Sequence, residues 1–152
     1  MSLTTDATGN DLTYRLIETA LVRRSPYKRW QIACFRDVSG RQPVMDYLYA
    51  LTNLDDMELI FHVVQRLSRV GLGLIDTKMA KHIQGPIFEL RKDRHRIMFA
   101  RDNDRKRFVL LSTFYKKSYQ TPLEEIEKAQ TYWSDYLRTG SCEIFAVLFD
   151  EF

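Results

Sequence analysis

Cysteine and histidine are scarce in this chain of 152 residues: Cys34 and Cys142 stand far apart with no CxxC partner, and His62, His82 and His95 are scattered. Such spacing offers neither a zinc ligand set nor a disulfide framework, so two reduced thiols and a site without metal or cofactor are expected. Long apolar runs are missing as well; none approaches the roughly 20 residues that span a bilayer. The first residues lack a basic-then-apolar leader pattern, which points to the cytoplasm. Repeats, linkers and low-complexity stretches are absent, so residues 1–152 read as one domain. At 45% apolar residues the composition is not that of a disordered chain, and the length allows a sizeable core.

Acidic residues run thin in one segment. From Lys78 to Lys117 there are 12 Lys and Arg against 4 Asp and Glu, a local net of +8, while the remainder carries −5. The whole-chain charge of +3 hides this asymmetry. Basic charge concentrated in one structural unit is the footprint of a polyanionic partner; a solvated basic face without a partner is the plainer reading.

Apolar spacing sets out the elements. Leu12, Leu16, Ile17, Ala20 and Leu21 suggest a short amphipathic helix near the N-terminus. Residues 30–36, Trp-Gln-Ile-Ala-Cys-Phe-Arg, read as a first strand. Pro43 opens a helix carrying Val44, Tyr47, Leu48 and Leu51. Asn53 caps a second helix, with Leu54, Met57, Phe61, Val64 and Leu67, that stops at the glycines of 70–73. The two helices are expected to form a hairpin. Three strands follow at 87–92, 95–102 and 107–115, with Asp102-Asn103-Asp104 as the turn of an antiparallel hairpin. Alternation places Ile87, Glu89 and Arg91 on one face of the first, and Val109, Leu111, Thr113, Tyr115 and Lys117 on one face of the third. Thr121 and Glu124 read as a capping box around Pro122, opening a last helix with Leu123, Ile126, Ala129, Trp133, Tyr136 and Leu137 that ends at Gly140. The apolar run 143–149 could add a strand.

Cations fixed at the ends of short adjacent strands suit phosphate, and RNA is the expected ligand. Metal-free RNA cleavage needs an aligned 2′-hydroxyl, a base for its proton, cations for the phosphorane and an acid for the leaving 5′-oxygen. Arg91 and Arg96 are the phosphate clamps, because guanidinium is planar, permanently charged and bidentate. Lys116 and Lys117 end the neighbouring strand, and alternation brings one of them to the phosphate. His95, with an ordinary pKa near neutrality and arginines on either side, is a candidate base. Glu89 is either a base or the ion-pair partner that holds Arg91, the second being preferred. Lys78, Lys81 and Arg94 supply further charge for RNA, and Tyr115 and Tyr119 can stack on a base or donate a proton. Each has a plainer rival. Arg91 and Arg96 could pair with Glu124 or Glu127, His95 could be a turn residue, and Tyr47 and His62 read as packing or structural residues.

The order of elements, with residues 114–122 (Phe-Tyr-Lys-Lys-Ser-Tyr-Gln-Thr-Pro), then Ile126 and Ala129, and with Glu89-Leu90-Arg91 and Arg96 upstream, resembles the RelE/HigB superfamily in its phage-derived toxin branch. The resemblance covers about residues 30–139; residues 1–29 and 140–152 lie outside it, and His95 stands where the family often has an aromatic residue. It implies an α+β fold: a small, mostly antiparallel sheet, an N-terminal helical hairpin and a C-terminal helix packed on one face, with the other face exposed. It implies the toxin of a type II toxin–antitoxin pair, an endoribonuclease that cleaves mRNA, often on the ribosome. It also implies a cognate antitoxin, usually a helix-turn-helix protein, that forms a hetero-oligomer with it. By position in the family pattern, Lys117 is favoured over Lys116. A binding module that holds RNA or the ribosome without cleaving it, and a protein whose groove mainly receives the antitoxin, are the alternatives.

Overall fold

The computed structural model describes residues 30–145. Among the described residues the fold is α+β, with a six-stranded, mostly antiparallel sheet and three helices. In chain order these are β1 (Gln31–Phe35), α1 (Pro43–Ala50), α2 (Leu54–Val70), a short 3-10 turn (Gly71–Leu74), β2 (Ala80–Gln84), β3 (Ile87–Lys92), β4 (His95–Asp102), β5 (Arg107–Tyr115), α3 (Leu123–Thr139) and β6 (Cys142–Ile144). The strands lie in the order β2-β3-β4-β5-β1-β6, and only β1 against β5 runs parallel. The helix expected around Leu12–Leu21 lies outside the described residues, as does the apolar tail beyond Phe145.

Local chemistry accounts for the helix ends. Pro43 takes the first turn of α1. The Asn53 side chain accepts a hydrogen bond from the Asp55 amide at 2.9 Å, and Asp55 and Asp56 follow in the first turn of α2, where the helix dipole favours negative charge. Gly71, at φ 66°, ends α2, and a Cβ there would stand 3.3 Å from the Trp30 indole nitrogen. Gly140, in the left-handed region, ends α3.

The central strands are apolar on both faces, and each face carries its own core. Ile97, Phe99, Phe108 and Leu110 pack with Val44 and Leu48 of α1 and Ile60, Val64 and Leu67 of α2. Met98, Ala100, Val109 and Leu111 pack with Ala129 and Tyr136 of α3. The C-terminal helix therefore lies across the sheet from the other two, and the open second face that the resemblance implied is covered. The two early helices make their main contacts with the strands, α1 with β5 and β1 and α2 with β3 and β1.

A bulge adjusts β5. Met98 pairs with Ser112 but Phe99 pairs with Leu110, so Leu111 is the extra residue. Alternation restarts there. Val109 and Leu111 face α3, whereas Thr113 and Tyr115 pair with Ile97 and His95 on the α1–α2 side. The five residues expected on one face are thus divided between two. On β3 the expected division holds: Ile87 belongs to the α3 side and Leu90 to the α1–α2 side. Strand β2, which carries no apolar alternation, was not expected; it pairs with β3 as an exposed edge.

Candidate functional site

Register brings Glu89, Arg91 and Arg96 together. Glu89 and Arg91 are two residues apart on β3, hence on one face, and Arg91 pairs directly with Arg96 across β4. This is the face covered by α3, and the three side chains lie beside the connection that leads into that helix. Glu89 is fully buried. Its Oε1 accepts from Arg91 Nε at 3.0 Å and stands 3.4 Å from Arg96 Nε. Its Oε2 accepts from the Thr121 hydroxyl at 2.7 Å. Both oxygens are thus engaged, which suits the ion-pair partner rather than a free base. The arginines pair with Glu89 and not with Glu124 or Glu127 of the last helix.

Arg96 is also held by backbone. Its Nη1 donates to the Asp93 carbonyl at 2.6 Å and to the His95 carbonyl at 3.0 Å. Asp93 stands at φ 53° in the two-residue β3–β4 turn, a conformation that Asp tolerates better than most residues. Burial and the nearby Arg91 lower the pKa of Arg96 against the opposing pull of Glu89, although a guanidinium keeps its charge in a protein.

Lys116 completes the cluster. Its amide donates to the Arg94 carbonyl at 2.7 Å, which ties the chain after β5 to the β3–β4 turn. Its ammonium has a pKa lowered by burial and by Arg96, with Arg91 and Lys81 adding to the effect and Glu89 opposing it. Lys81, opposite Glu89 in the β2–β3 register, reaches the same neighbourhood from the edge strand. Four cations therefore surround one buried carboxylate. Two of them, Arg96 and Lys116, line a cavity of about 330 Å³ together with Arg94, Lys117, Ser118 and Tyr119. Both lysines line it because strand geometry ends at Tyr115 and alternation no longer separates them. Tyr119 is almost fully exposed at the rim, and Lys78 is exposed in the turn before β2.

His95 and Tyr115 go elsewhere. They pair with each other across β4 and β5 on the α1–α2 side, with ring centroids 5.3 Å apart. His95 is buried there. Its Nδ1 lies 2.7 Å from the Tyr47 hydroxyl and its Nε2 3.6 Å from Asp56 Oδ2. The sheet stands between its imidazole and the cations, so chain adjacency to Arg96 does not make it a neighbour of the phosphate clamps. Tyr47, read from sequence as a packing residue, also carries this hydrogen bond.

Thr121 is the residue whose part the sequence did not disclose. The capping box is not formed: α3 begins at Leu123, Pro122 is its N-cap, and no side chain caps it. The threonine hydroxyl goes to Glu89 instead. The only sequence signal was proline at 122, which holds the preceding residue extended.

Among the described residues no group of His, Cys, Asp and Glu has the arrangement to hold a metal ion, and no helix is long and apolar enough to cross a membrane. A family model described as phage derived protein Gp49-like (DUF891) matches residues 50–134, a span that holds α2, β2 to β5, the whole cation cluster and most of α3. No curated protein matches the chain.

Proposed function

Because the chain belongs to the phage-derived Gp49-like family, which is associated with toxin–antitoxin systems, we propose that it is the toxin of such a pair and acts in the cytoplasm as an endoribonuclease on mRNA. The RelE/HigB likeness of its motifs and its small α+β fold support the same reading. The single observation that carries it is the excess of positive charge: Arg91 and Arg96 are held on the buried Glu89 carboxylate, with Lys116 and Lys81 in the same neighbourhood. Such a cluster is poised for a phosphate diester.

In this reading the arginines and Lys116 bind the scissile phosphate and stabilise the phosphorane that forms when the 2′-hydroxyl attacks. Cations arranged in advance for developing negative charge supply the largest share of such catalysis. The chemistry is metal-independent and leaves a 2′,3′-cyclic phosphate and a 5′-hydroxyl. Lys116, whose pKa is lowered by burial and by Arg96, is the candidate proton carrier beside the arginines. Lys117 and Tyr119 stand at the cavity for contact with the RNA strand, and the ribosome is the setting in which mRNA would be presented. A cognate antitoxin of complementary charge would cover this face.

One observation favours a second reading, an RNA- or ribosome-binding protein without cleavage. Both Glu89 oxygens are engaged and His95 faces away, so two of the proton carriers expected from sequence are not free at the cations. Induced expression in a bacterium, with wild type beside Arg96→Ala and Lys116→Ala and primer extension on cellular mRNA, separates the two. Arrest with new mRNA 5′ ends, lost in both variants, is the expected result. Arrest without new ends selects the binding protein. No arrest from folded, abundant protein overturns both.

A further inference from the structure

We propose that Thr121 is a positioning residue of the cation site: its hydroxyl holds the Glu89 carboxylate, and Glu89 holds Arg91 and Arg96 in place for an oligonucleotide phosphate. The proposal rests on the reading of this cluster as an RNA site, and its core, the control of the two arginines, can be measured apart from that reading.

Three features converge on it. Glu89 has no exposed side-chain surface, while the Arg96 and Arg91 side chains are 10% and 26% exposed. A carboxylate withdrawn from water needs both oxygens satisfied. Oε1 is shared by the two arginines; Oε2 has the Thr121 hydroxyl, 32 residues away in sequence. If Oε2 loses that donor, the carboxylate has reason to turn, and Oε1 is the atom that accepts from Arg91 Nε and faces Arg96 Nε at 3.4 Å, the contact that adds to the backbone bonds of Arg96 Nη1. The second feature is the position of the hydroxyl. Pro122 and not Thr121 is the N-cap of α3, so the Thr121 hydroxyl, one residue before the cap, is directed to the sheet and not to the helix. The third is the local backbone. Pro122 restricts Thr121 to extended conformations, so the side chain leaves the chain in a fixed direction. Thr121 thereby couples the start of α3 to the arginine pair, although it donates to neither arginine.

The test compares wild type, Thr121→Val and Thr121→Ser by two measurements. One is the NMR Nε–Hε signals of Arg91 and Arg96, which report the guanidinium partners directly. The other is affinity for a short 2′-O-methyl oligoribonucleotide, which cannot be cleaved by 2′-hydroxyl attack. Valine keeps the shape and removes the donor; the expected result is displaced Arg91 and Arg96 signals and affinity lower by about tenfold, the scale of one hydrogen bond to a charged group. Serine restores the donor and is expected to restore both signals and affinity. Should valine prevent folding, Thr121→Ala removes the hydroxyl with less bulk and makes the same comparison. Unchanged arginine signals in a folded variant lacking the hydroxyl overturn the proposal. So does a serine variant that behaves like valine, because shape rather than the hydroxyl would then be at work. If wild type does not bind the oligonucleotide, the RNA reading falls, and the arginine signals still decide whether Thr121 governs the pair.

Discussion

The Glu89 carboxylate and the Arg96 guanidinium face one another between neighbouring strands, Oε1 to Nε at 3.4 Å, with side-chain exposures of 0% and 10%. Two charges so far from water are stable only together, and Arg91 shares the same oxygen at 3.0 Å. Substituting one member leaves the others buried without compensation. Glu89→Gln should therefore lower folding stability by about 3 kcal/mol or more. Urea unfolding of the variant beside wild type measures this; a loss under about 1 kcal/mol, the scale of an exposed pair, would show that the site tolerates free charge.

Arginine at position 96 is not interchangeable with lysine. Nη1 donates to the carbonyls of both Asp93 and His95, and a lysine ammonium cannot make those bonds and also face Glu89 with the same planar fork. Arg96→Lys is expected to reduce RNA cleavage nearly as much as Arg96→Ala, by about 100-fold or more if cation stabilisation operates as at an oxyanion site. Single-turnover cleavage of a purified transcript gives the comparison; a lysine variant close to wild type would reduce Arg96 to a point charge.

Lys116 is expected to make oligonucleotide binding pH-dependent on the alkaline side. Burial and the neighbouring arginines lower its pKa below the ordinary lysine value of 10.5, so the ammonium is lost at lower pH than in an exposed lysine. Bound phosphate favours the ammonium, and affinity for an oligonucleotide should fall as pH rises through that lowered pKa. In Lys116→Arg the fall should move to higher pH. Titrating affinity for the 2′-O-methyl oligonucleotide decides it; identical profiles for the two proteins would remove Lys116 from the phosphate contacts. For folding the sign is the reverse. The unfolded lysine holds its proton more firmly, so this residue adds stability as pH rises from its folded pKa towards 10.5.

At the opposite end of β4 the Tyr136 hydroxyl donates to Asp102 Oδ2, and Arg105 adds its amide and guanidinium. Burial acts to raise the Asp102 pKa, but these bonds outweigh it and bring the net value below 3.8. Burial, with Asp102 adding to it, pushes Tyr136 up to about 12. The carboxylate's stabilisation is present above pH 3.8 and disappears as pH falls through its lower folded value. Tyr136→Phe should cost about 1.5–3 kcal/mol at neutral pH, as for a hydrogen bond to a charged group, and less in acid. Denaturant titrations at neutral pH and near pH 3 test both parts; an equal cost at both would contradict the assignment to ionised Asp102.

The site residues were legible in kind more than in grouping. The β3 to β5 boundaries follow from alternation and from Asp102-Asn103-Asp104, and the structure places them as expected. The pairing of Glu89 with Arg91 follows from a spacing of two on one strand. Adjacency in sequence suggests His95 as a partner of Arg96, whereas adjacency on a strand is what puts side chains on opposite faces. The bulge at Leu111 moved Tyr115 away from Val109, and no local pattern marks a single inserted residue. The spacing of Thr121 and Glu124 points to a cap, whereas the hydroxyl's partner lies 32 residues upstream and only tertiary structure brings Glu89 within reach. Strand β2 leaves no periodic signal, since Ala80-Lys81-His82-Ile83-Gln84 is stabilised by pairing with β3 and not by an apolar face of its own.

Strand β1 has partners that are made late. Its neighbours are β5, which ends at Tyr115, and β6, which ends at Ile144, and the Phe145 amide donates to the Ile32 carbonyl at 2.7 Å. During synthesis, residues 31–35 leave the ribosome without either strand, and the α1–α2 core that rests on Ile32 and Cys34 is incomplete with them. The β2–β5 meander needs only sequence-local pairing and can order first. The cation cluster draws on Lys81 to Thr121, so it emerges before the sheet that supports it is finished. On the nascent chain the residues of the cation cluster are thus complete before β6 can close the far edge of the sheet, and an interval separates the charged segment from the finished fold.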